Sequence, residues 1–349
     1  MKAPFIWDKY SDQPYPLRDK AYKKKMRKKH LWDYIPLLLS MLIFFPLSIL
    51  LMPFYRAKQI DEQNFYGLGI DLDKGEIQKE LIEELGVKHL LIRMPLWEMK
   101  RVEEYVTFAK SFAEDKTILL NILQDREHIE NDLLLKKDME VIFEKFGSFV
   151  TEYQVGNAIN RTKWGFFSMG EYLKWYATIQ QIRDEKYPHL RLIGSSVIDF
   201  EYHYTIRTLF NFFSVKYDKF SSLLYVDRRG APQNRQMGIF DTKNKINMLY
   251  ALVKLSPKTT EHLYITEANW PLSNTAPYAP TSEAECVSEA DYTKYMLEYH
   301  EIALKTSKVE RIYWHQLIAA GYGLVDDREG QIRKTPAFEA YKQMLNDNK

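Results

Sequence analysis

Leu263-Tyr264-Ile265-Thr266-Glu267-Ala268-Asn269-Trp270-Pro271 is an apolar run that delivers one carboxylate, then an amide and an indole. A short apolar run closed by Pro reads as a buried strand, and Glu at its far end puts a charge where the sheet opens to solvent. At the C-terminal rim of a closed parallel sheet, that is where active groups stand. A surface ion pair is the plainer alternative, so the reading depends on what surrounds the run.

Similar apolar runs recur along the chain and alternate with helical patterns. Strands are expected at 66–71, 87–94, 117–124, 150–156, 190–197, 221–227, 262–267 and 311–316. Between them apolar residues recur at spacings of three and four, as in Ile77, Leu81, Ile82 and Leu85 before Gly86, or Tyr172, Trp175, Tyr176 and Ile179. Ser168 with Glu171 and Ser288 with Asp291 are capping-box patterns that open two of these helices. Eight strand-helix units after residue 63 match a (β/α)8 barrel. The competing doubly wound open sheet lacks support, because no strand is followed by a dinucleotide-type glycine fingerprint or a Walker loop.

The first sixty residues are of another kind. From 34 to 55 there are 22 residues without a charge, enough to cross roughly 30 Å of hydrocarbon as a helix. Pro46 inside the run is tolerated in bilayer helices, and Trp32, Tyr34 and Tyr55 suit the interfacial belts. A buried core helix or a cleaved signal peptide fits less well, given the length, the prolines and the late start of the run. Lys20, Lys23, Lys24, Lys25, Arg27, Lys28 and Lys29 precede it, against Arg56 and Lys58 after it. The positive-inside bias therefore predicts a single-pass protein of the cell (inner) membrane, with its N-terminus cytoplasmic and the barrel extracytoplasmic. The expected divisions are a loosely ordered basic tail (1–30), a transmembrane helix (31–55), a linker (56–63) and the barrel (64–349). The fold class is α/β, a (β/α)8 TIM barrel preceded by one transmembrane helix.

Composition narrows the partners. A 46% hydrophobic content over 349 residues supplies a sizeable core. Residues 1–60 hold 12 Lys and Arg against 4 Asp while the whole chain carries only +2, so the barrel is net acidic and nucleic acid is not an expected partner. The lone Cys286 allows no intrachain disulfide, and no Cys/His spacing resembles a zinc site. Asp326-Asp327 beside Arg328 reads as a solvated turn. Neither a metal nor a cofactor is expected.

The residues at the strand ends form a polar and aromatic ring. In order they are Asp71; Arg93 and Trp97; Asn121 and Gln124; Asn157 and Asn160; Ser195, Ser196, Asp199 and Glu201; Tyr225 and Asp227; Glu267, Asn269 and Trp270; and Trp314, His315 and Gln316. Sugars present hydroxyl rims and apolar faces, which such a mixture of carboxylates, amides, Arg and aromatic platforms can hold.

These motifs resemble clan A of the glycoside hydrolases over roughly residues 64–345. Tyr153-Gln154-Val155-Gly156-Asn157-Ala158-Ile159-Asn160 is similar to the clan's Gly-Asn-Glu-Pro-Asn at the end of the fourth strand, with Ala158 where the acid/base Glu stands. Glu267 matches the nucleophile of the seventh strand. The eighth strand and tail also look alike: Tyr313-Trp314-His315-Gln316, then Gly321-Tyr322-Gly323-Leu324-Val325-Asp326, then Lys334-Thr335-Pro336-Ala337-Phe338. The resemblance implies Glu267 as retaining nucleophile, and the strand-end ring offers Arg93, Trp97, Asn157, Asn160, Tyr225, Asn269, Trp270, Trp314 and Gln316 as sugar contacts.

Ala158 departs from the pattern where it matters most. Retention needs two carboxyl groups about 5.5 Å apart, one to attack and one to protonate the leaving oxygen. Three readings stay open. A membrane-anchored glycosidase or transglycosidase of envelope glycans takes its proton from elsewhere, with Asp227 preferred over Glu201 and His315 because the sixth strand adjoins the seventh. Alternatively, the barrel binds glycan without cleaving it, as an accessory among envelope polysaccharide assembly or export proteins. In the third reading it is a membrane scaffold for protein partners.

Overall fold

The structure, a computed structural model, describes residues 1–57 and 60–347. Lys58, counted above on the far side of the apolar segment, lies outside the described residues, as do the last two residues of the barrel expected to 349. The chain opens on a short hairpin of β1 (Trp7–Asp8) and β2 (Gln13–Pro14), then the basic helix α1 (Lys20–Lys29) and the apolar helix α2 (Tyr34–Leu51). Strands and helices then alternate: β3 (Tyr66–Ile70), α3 (Ile77–Leu85), β4 (His89–Pro95), α4 (Val102–Lys110), β5 (Thr117–Leu123), α5 (Arg126–Glu130), α6 (Asp132–Phe146), β6 (Glu152–Val155) and α7 (Met169–Lys186). The second half adds β7 (Arg191–Ile198), α8 (Tyr202–Leu209), β8 (Lys219–Leu223), α9 (Thr242–Leu255), β9 (Leu263–Ala268), α10 (Glu289–Thr306) and β10 (Arg311–Trp314). A small hairpin, β11 (Val325–Asp326) with β12 (Arg333–Lys334), precedes the last helix, α11 (Pro336–Asp347).

Strands β3 to β10 close into one barrel, each parallel to its neighbours, with β10 returning to β3. All eight expected strands are present, although β8 stops at Leu223 rather than 227. Fully buried parallel strands carry apolar residues on both faces, which is why the runs are visible without alternation. Inside the barrel Leu91, Leu119, Ile193, Tyr264 and Tyr313 form one packed layer. Tyr313 fits there because Gly67 on β3 has no side chain; a Cβ at that point would lie 2.6 Å from the ring. Both serines cap their helices: Ser168 accepts from the Glu171 amide at 3.2 Å and Ser288 from the Asp291 amide at 3.1 Å, while the Glu171 carboxylate accepts from the Phe167 amide and the Asp291 carboxylate from the Ser288 hydroxyl.

The apolar segment is helical and by length and composition able to cross a membrane; a signal sequence or a core helix passes the same test. Helix α2 packs along the outside of the barrel on α8 and α9. Phe44 stacks on Phe210 at 3.5 Å and Phe45 on Tyr202 at 4.4 Å between ring centroids.

The tail departs from expectation. Residues 1–30 fold onto the barrel instead of forming a loose segment: Phe5, Leu17 and Met26 bury themselves against Phe167, and Lys2 pairs with Glu127 at 2.8 Å. Asp33, just before α2, accepts from the Gly170 amide at 2.9 Å and from Arg207 at 3.0 Å. These contacts join the segments on the two sides of α2 into one body.

Candidate functional site

Glu267 stands near the end of β9, where the pairing with β10 slips: Ile312 faces Ile265 but Trp314 faces Ala268. The slip sets Glu267 and Asn269 toward the barrel mouth and leaves Ala268 and Trp270 in the outer core. Glu267 is 7% exposed. Arg93, from β4, donates to its Oε2 at 2.9 Å, and the Tyr225 hydroxyl donates to Oε1 at 2.5 Å. Burial pushes the carboxyl pKa up, but His315, the Arg93 guanidinium and the Tyr225 hydroxyl together more than offset this and hold it below the usual carboxylate range. Tyr225, buried and next to that charge, is pushed well above the ordinary phenol value and keeps its proton. His315 is pushed down to about 3 by burial and then by Arg93, so its ring is neutral. Its Nε2 lies 3.2 Å from the Arg93 Nη2, and since a guanidinium only donates, Nε2 accepts and the ring proton sits on Nδ1.

Asn157 is oriented from below. Its Oδ1 accepts from Asn121 at 3.1 Å, its backbone amide donates to Gln124 at 2.9 Å, and its Nδ2 is buried with no hydrogen-bond partner. Next to it the Ala158 methyl packs with Leu123, Trp164, Leu223 and Tyr225, so the acid/base position is apolar. Glu267, Asn157, Ala158, Asn269 and His315 line one cavity of about 170 Å³.

The N-terminal hairpin lies across this mouth. Trp7 packs on Trp97 at 5.2 Å and on Trp164 at 5.8 Å between centroids. The Asp12 backbone oxygen accepts from Arg93 at 3.1 Å, and its carboxylate lies 4.0 Å from the same guanidinium. Burial, then the charge of Asp71, push the Asp12 carboxyl up to about 7. Gln13 accepts from Lys163 at 2.5 Å and donates to the Pro280 carbonyl at 2.9 Å. Burial and then Arg161 push Lys163 down to about 8. Beyond the hairpin lies a larger cavity of about 650 Å³, edged by Trp7, Asp12, Asp71, Arg93, Trp97, Tyr278 and Tyr322.

Of the expected sugar contacts, the structure gathers Arg93, Asn157, Tyr225 and Asn269 around Glu267, with Trp97 on the wall of the larger cavity. Four are elsewhere. Trp270 and Trp314 stack on each other at 6.0 Å between barrel and α10, with the Trp314 indole donating to Tyr292 at 2.8 Å. They face outward because of the slip in β9 and the alternation of side chains. Asn160 ties the loop after β6 to β7, donating to the Ile198 carbonyl at 3.0 Å and to Glu201 at 2.6 Å. Gln316 donates to the Ile318 carbonyl at 3.1 Å and reaches Asp12 only at 3.5 Å. Asp227 borders a separate cavity with Asp199, Glu201 and Arg229, which Glu267 does not line. The cause is that β8 ends early and the chain turns at Asp227–Arg229. Glu201 is engaged by Arg161 at 2.6 Å. Sequence reasoning missed Trp164, Tyr322, Lys163 and the whole hairpin. A Trp six residues past Ala158 was the one available signal.

No family model and no curated protein matches the chain. Solved structures do. A family 1 β-glucosidase from Thermotoga maritima matches with TM-score 0.59 at 13% identity, over 84% of this chain and 99% of that one. A family 39 glycoside hydrolase from Bacteroides cellulosilyticus WH2 gives 0.57 at 10%, over 83% and 65%. A GH2 β-galacturonidase from Eisenbergiella tayi bound to galacturonate gives 0.55 at 12%, over 84% and 52%, so this chain spans less than two thirds of the latter two. At such identities the likeness is one of fold. The chain has the eight-stranded parallel barrel found in glycoside hydrolases of families 1, 2 and 39.

Proposed function

We propose that the barrel mouth is a carbohydrate site in which Glu267 keeps the role of a glycosidase nucleophile while position 158 has lost the proton donor. The observation that carries this is a buried carboxylate, held ionised by Arg93 and Tyr225, in one small cavity with Asn157 and Ala158. A carboxylate so placed can attack an anomeric carbon. Without acid assistance, bond cleavage is slower by about 10² to 10⁴, so only glycosides with good leaving groups turn over readily. Asp12 and Lys163 border the same cavity with pKa values of about 7 and about 8, and supply the protons left there. The substrate class is an envelope glycan, reached by a protein held at a membrane through α2.

A second reading, glycan binding without turnover, is favoured by the apolar packing of Ala158 and by the hairpin across the mouth. One experiment separates the two. Incubating the full chain with a panel of 2-deoxy-2-fluoroglycosides carrying a dinitrophenolate leaving group is expected to add one glycosyl mass at Glu267, and none to Glu267→Gln. No adduct with any sugar moves the conclusion to binding; a glycan array that is also blank removes the carbohydrate site.

A further inference from the structure

Helix α2 is apolar on both its faces. Against the barrel it turns Phe44, Phe45, Ile49 and Met52, with Leu37, Ser40 and Ser48 also buried, and the two serines bond back to their own helix, at 3.0 Å to Leu37 and 2.7 Å to Phe45. Away from the barrel it turns a row of large aliphatics: Leu38 is 52% exposed, Leu42 66% and Leu50 66%. A helix that docks on a protein core and faces water carries polar residues on its outer face, which this row replaces. The barrel extends the same surface. Phe212, two residues past the Phe210 that stacks on Phe44, is fully exposed, and Met237 and Ile239, just before the Phe240 that touches Phe45, are also exposed.

Charge completes the pattern. Lys20, Lys24, Lys25, Arg27, Lys28 and Lys29 of α1 are exposed, and none pairs with a carboxylate among the described residues. Exposed Leu31 and Trp32 stand between this cationic helix and the aliphatic row. Basic head, aromatic junction and apolar face in that order are what a sheet of anionic lipid fits. The chain on both sides of α2 meanwhile belongs to one body. Trp7 sits in the barrel mouth, and Asp33 is bonded to the first turn of α7 and to α8.

Taking the membrane attachment proposed above as given, we propose that α2 does not cross the bilayer. It lies along the surface, its Leu38, Leu42 and Leu50 face in the acyl boundary and α1 on anionic headgroups, with tail and barrel on the same side.

Two measurements on the full chain test this. The first is flotation with vesicles of phosphatidylcholine alone or with a quarter phosphatidylglycerol. Binding should need the anionic lipid, and should fall about tenfold or more in a Lys24→Glu, Arg27→Glu, Lys28→Glu variant. The second is labelling of intact cells by a membrane-impermeant maleimide, reading native Cys286 on the barrel and, in a Cys286→Ser chain, Lys9→Cys on the hairpin, with permeabilised cells as reference. Both positions reacting alike supports the surface arrangement. Reaction of one and protection of the other overturns it while leaving membrane attachment intact. Failure to float with either vesicle overturns the attachment itself.

Discussion

Glu267 and Arg93 face each other almost out of reach of water, so removing one is not equivalent to removing the other. Arg93→Leu leaves a buried carboxylate without its cation and should cost about 3–5 kcal/mol in stability. The sign with pH follows from the lowered Glu267 pKa. Its contribution is present above the ordinary carboxylate value and is lost as pH falls through the lower folded value; without Arg93 that loss should begin at higher pH. Urea titrations of both chains from pH 3 to 7 read the difference. The tryptophans divide in the same way. Trp314→Ala should lower stability by about 3–5 kcal/mol, as a filled core site would, and leave glycan affinity unchanged. Trp97→Ala should weaken glycan binding by about tenfold while costing less stability, and Trp164→Ala, at a buried site, should lower both, measured by calorimetry and thermal melts. In the sequence, Glu267, Arg93, Tyr225, Asn157 and Asn269 were legible because a strand end near a closed sheet points to the mouth. Trp270 and Trp314 misled for a physical reason: the one-residue slip between β9 and β10 reverses which neighbours of Glu267 face inward, and nothing in the apolar run marks it.

At the level of elements, the strands were the most readable part, because burial on both faces leaves unbroken apolar runs that only the sheet interior explains. Close approach inside the barrel is less visible but as demanding. Gly67→Ala would drive a methyl into the Tyr313 ring and should cost about 1–3 kcal/mol, seen as a lower unfolding midpoint with an unchanged denaturant slope. The hairpin of β1 and β2 had no readable signal, since its partners lie far along the chain and an apolar segment separates it from them. Its seat should depend on pH through Asp12, whose carboxyl rises from its ordinary 3.8 to about 7 in place. The folded state then binds the extra proton, so the seat is firmest below about pH 4, weakens as pH rises toward about 7, and is level beyond. Fluorescence of the Trp7, Trp97 and Trp164 cluster should follow that window, and Asp12→Asn should flatten it.

For the whole molecule, the barrel, the hairpin across its mouth and the outward-facing aliphatic row of α2 make one body with two surfaces: a polar mouth divided by its own N-terminus, and a flank suited to lipid. The hairpin takes the Trp97 and Trp164 faces that a sugar ring would use, so a glycan must either share the mouth with it or displace it. Trp7→Ala should therefore raise glycan affinity several-fold if displacement is required, and binding measured beside the parent chain decides. The central claim is that a sugar binds at Glu267. Its most direct test is a crystal structure of the full chain soaked with an oligosaccharide it binds. The expected result is a ring against Trp97 or Trp164 with hydroxyls on the Asn157 amide and the Glu267 carboxylate. A sugar seated away from the mouth, with Glu267 still closed between Arg93 and Tyr225, would contradict it.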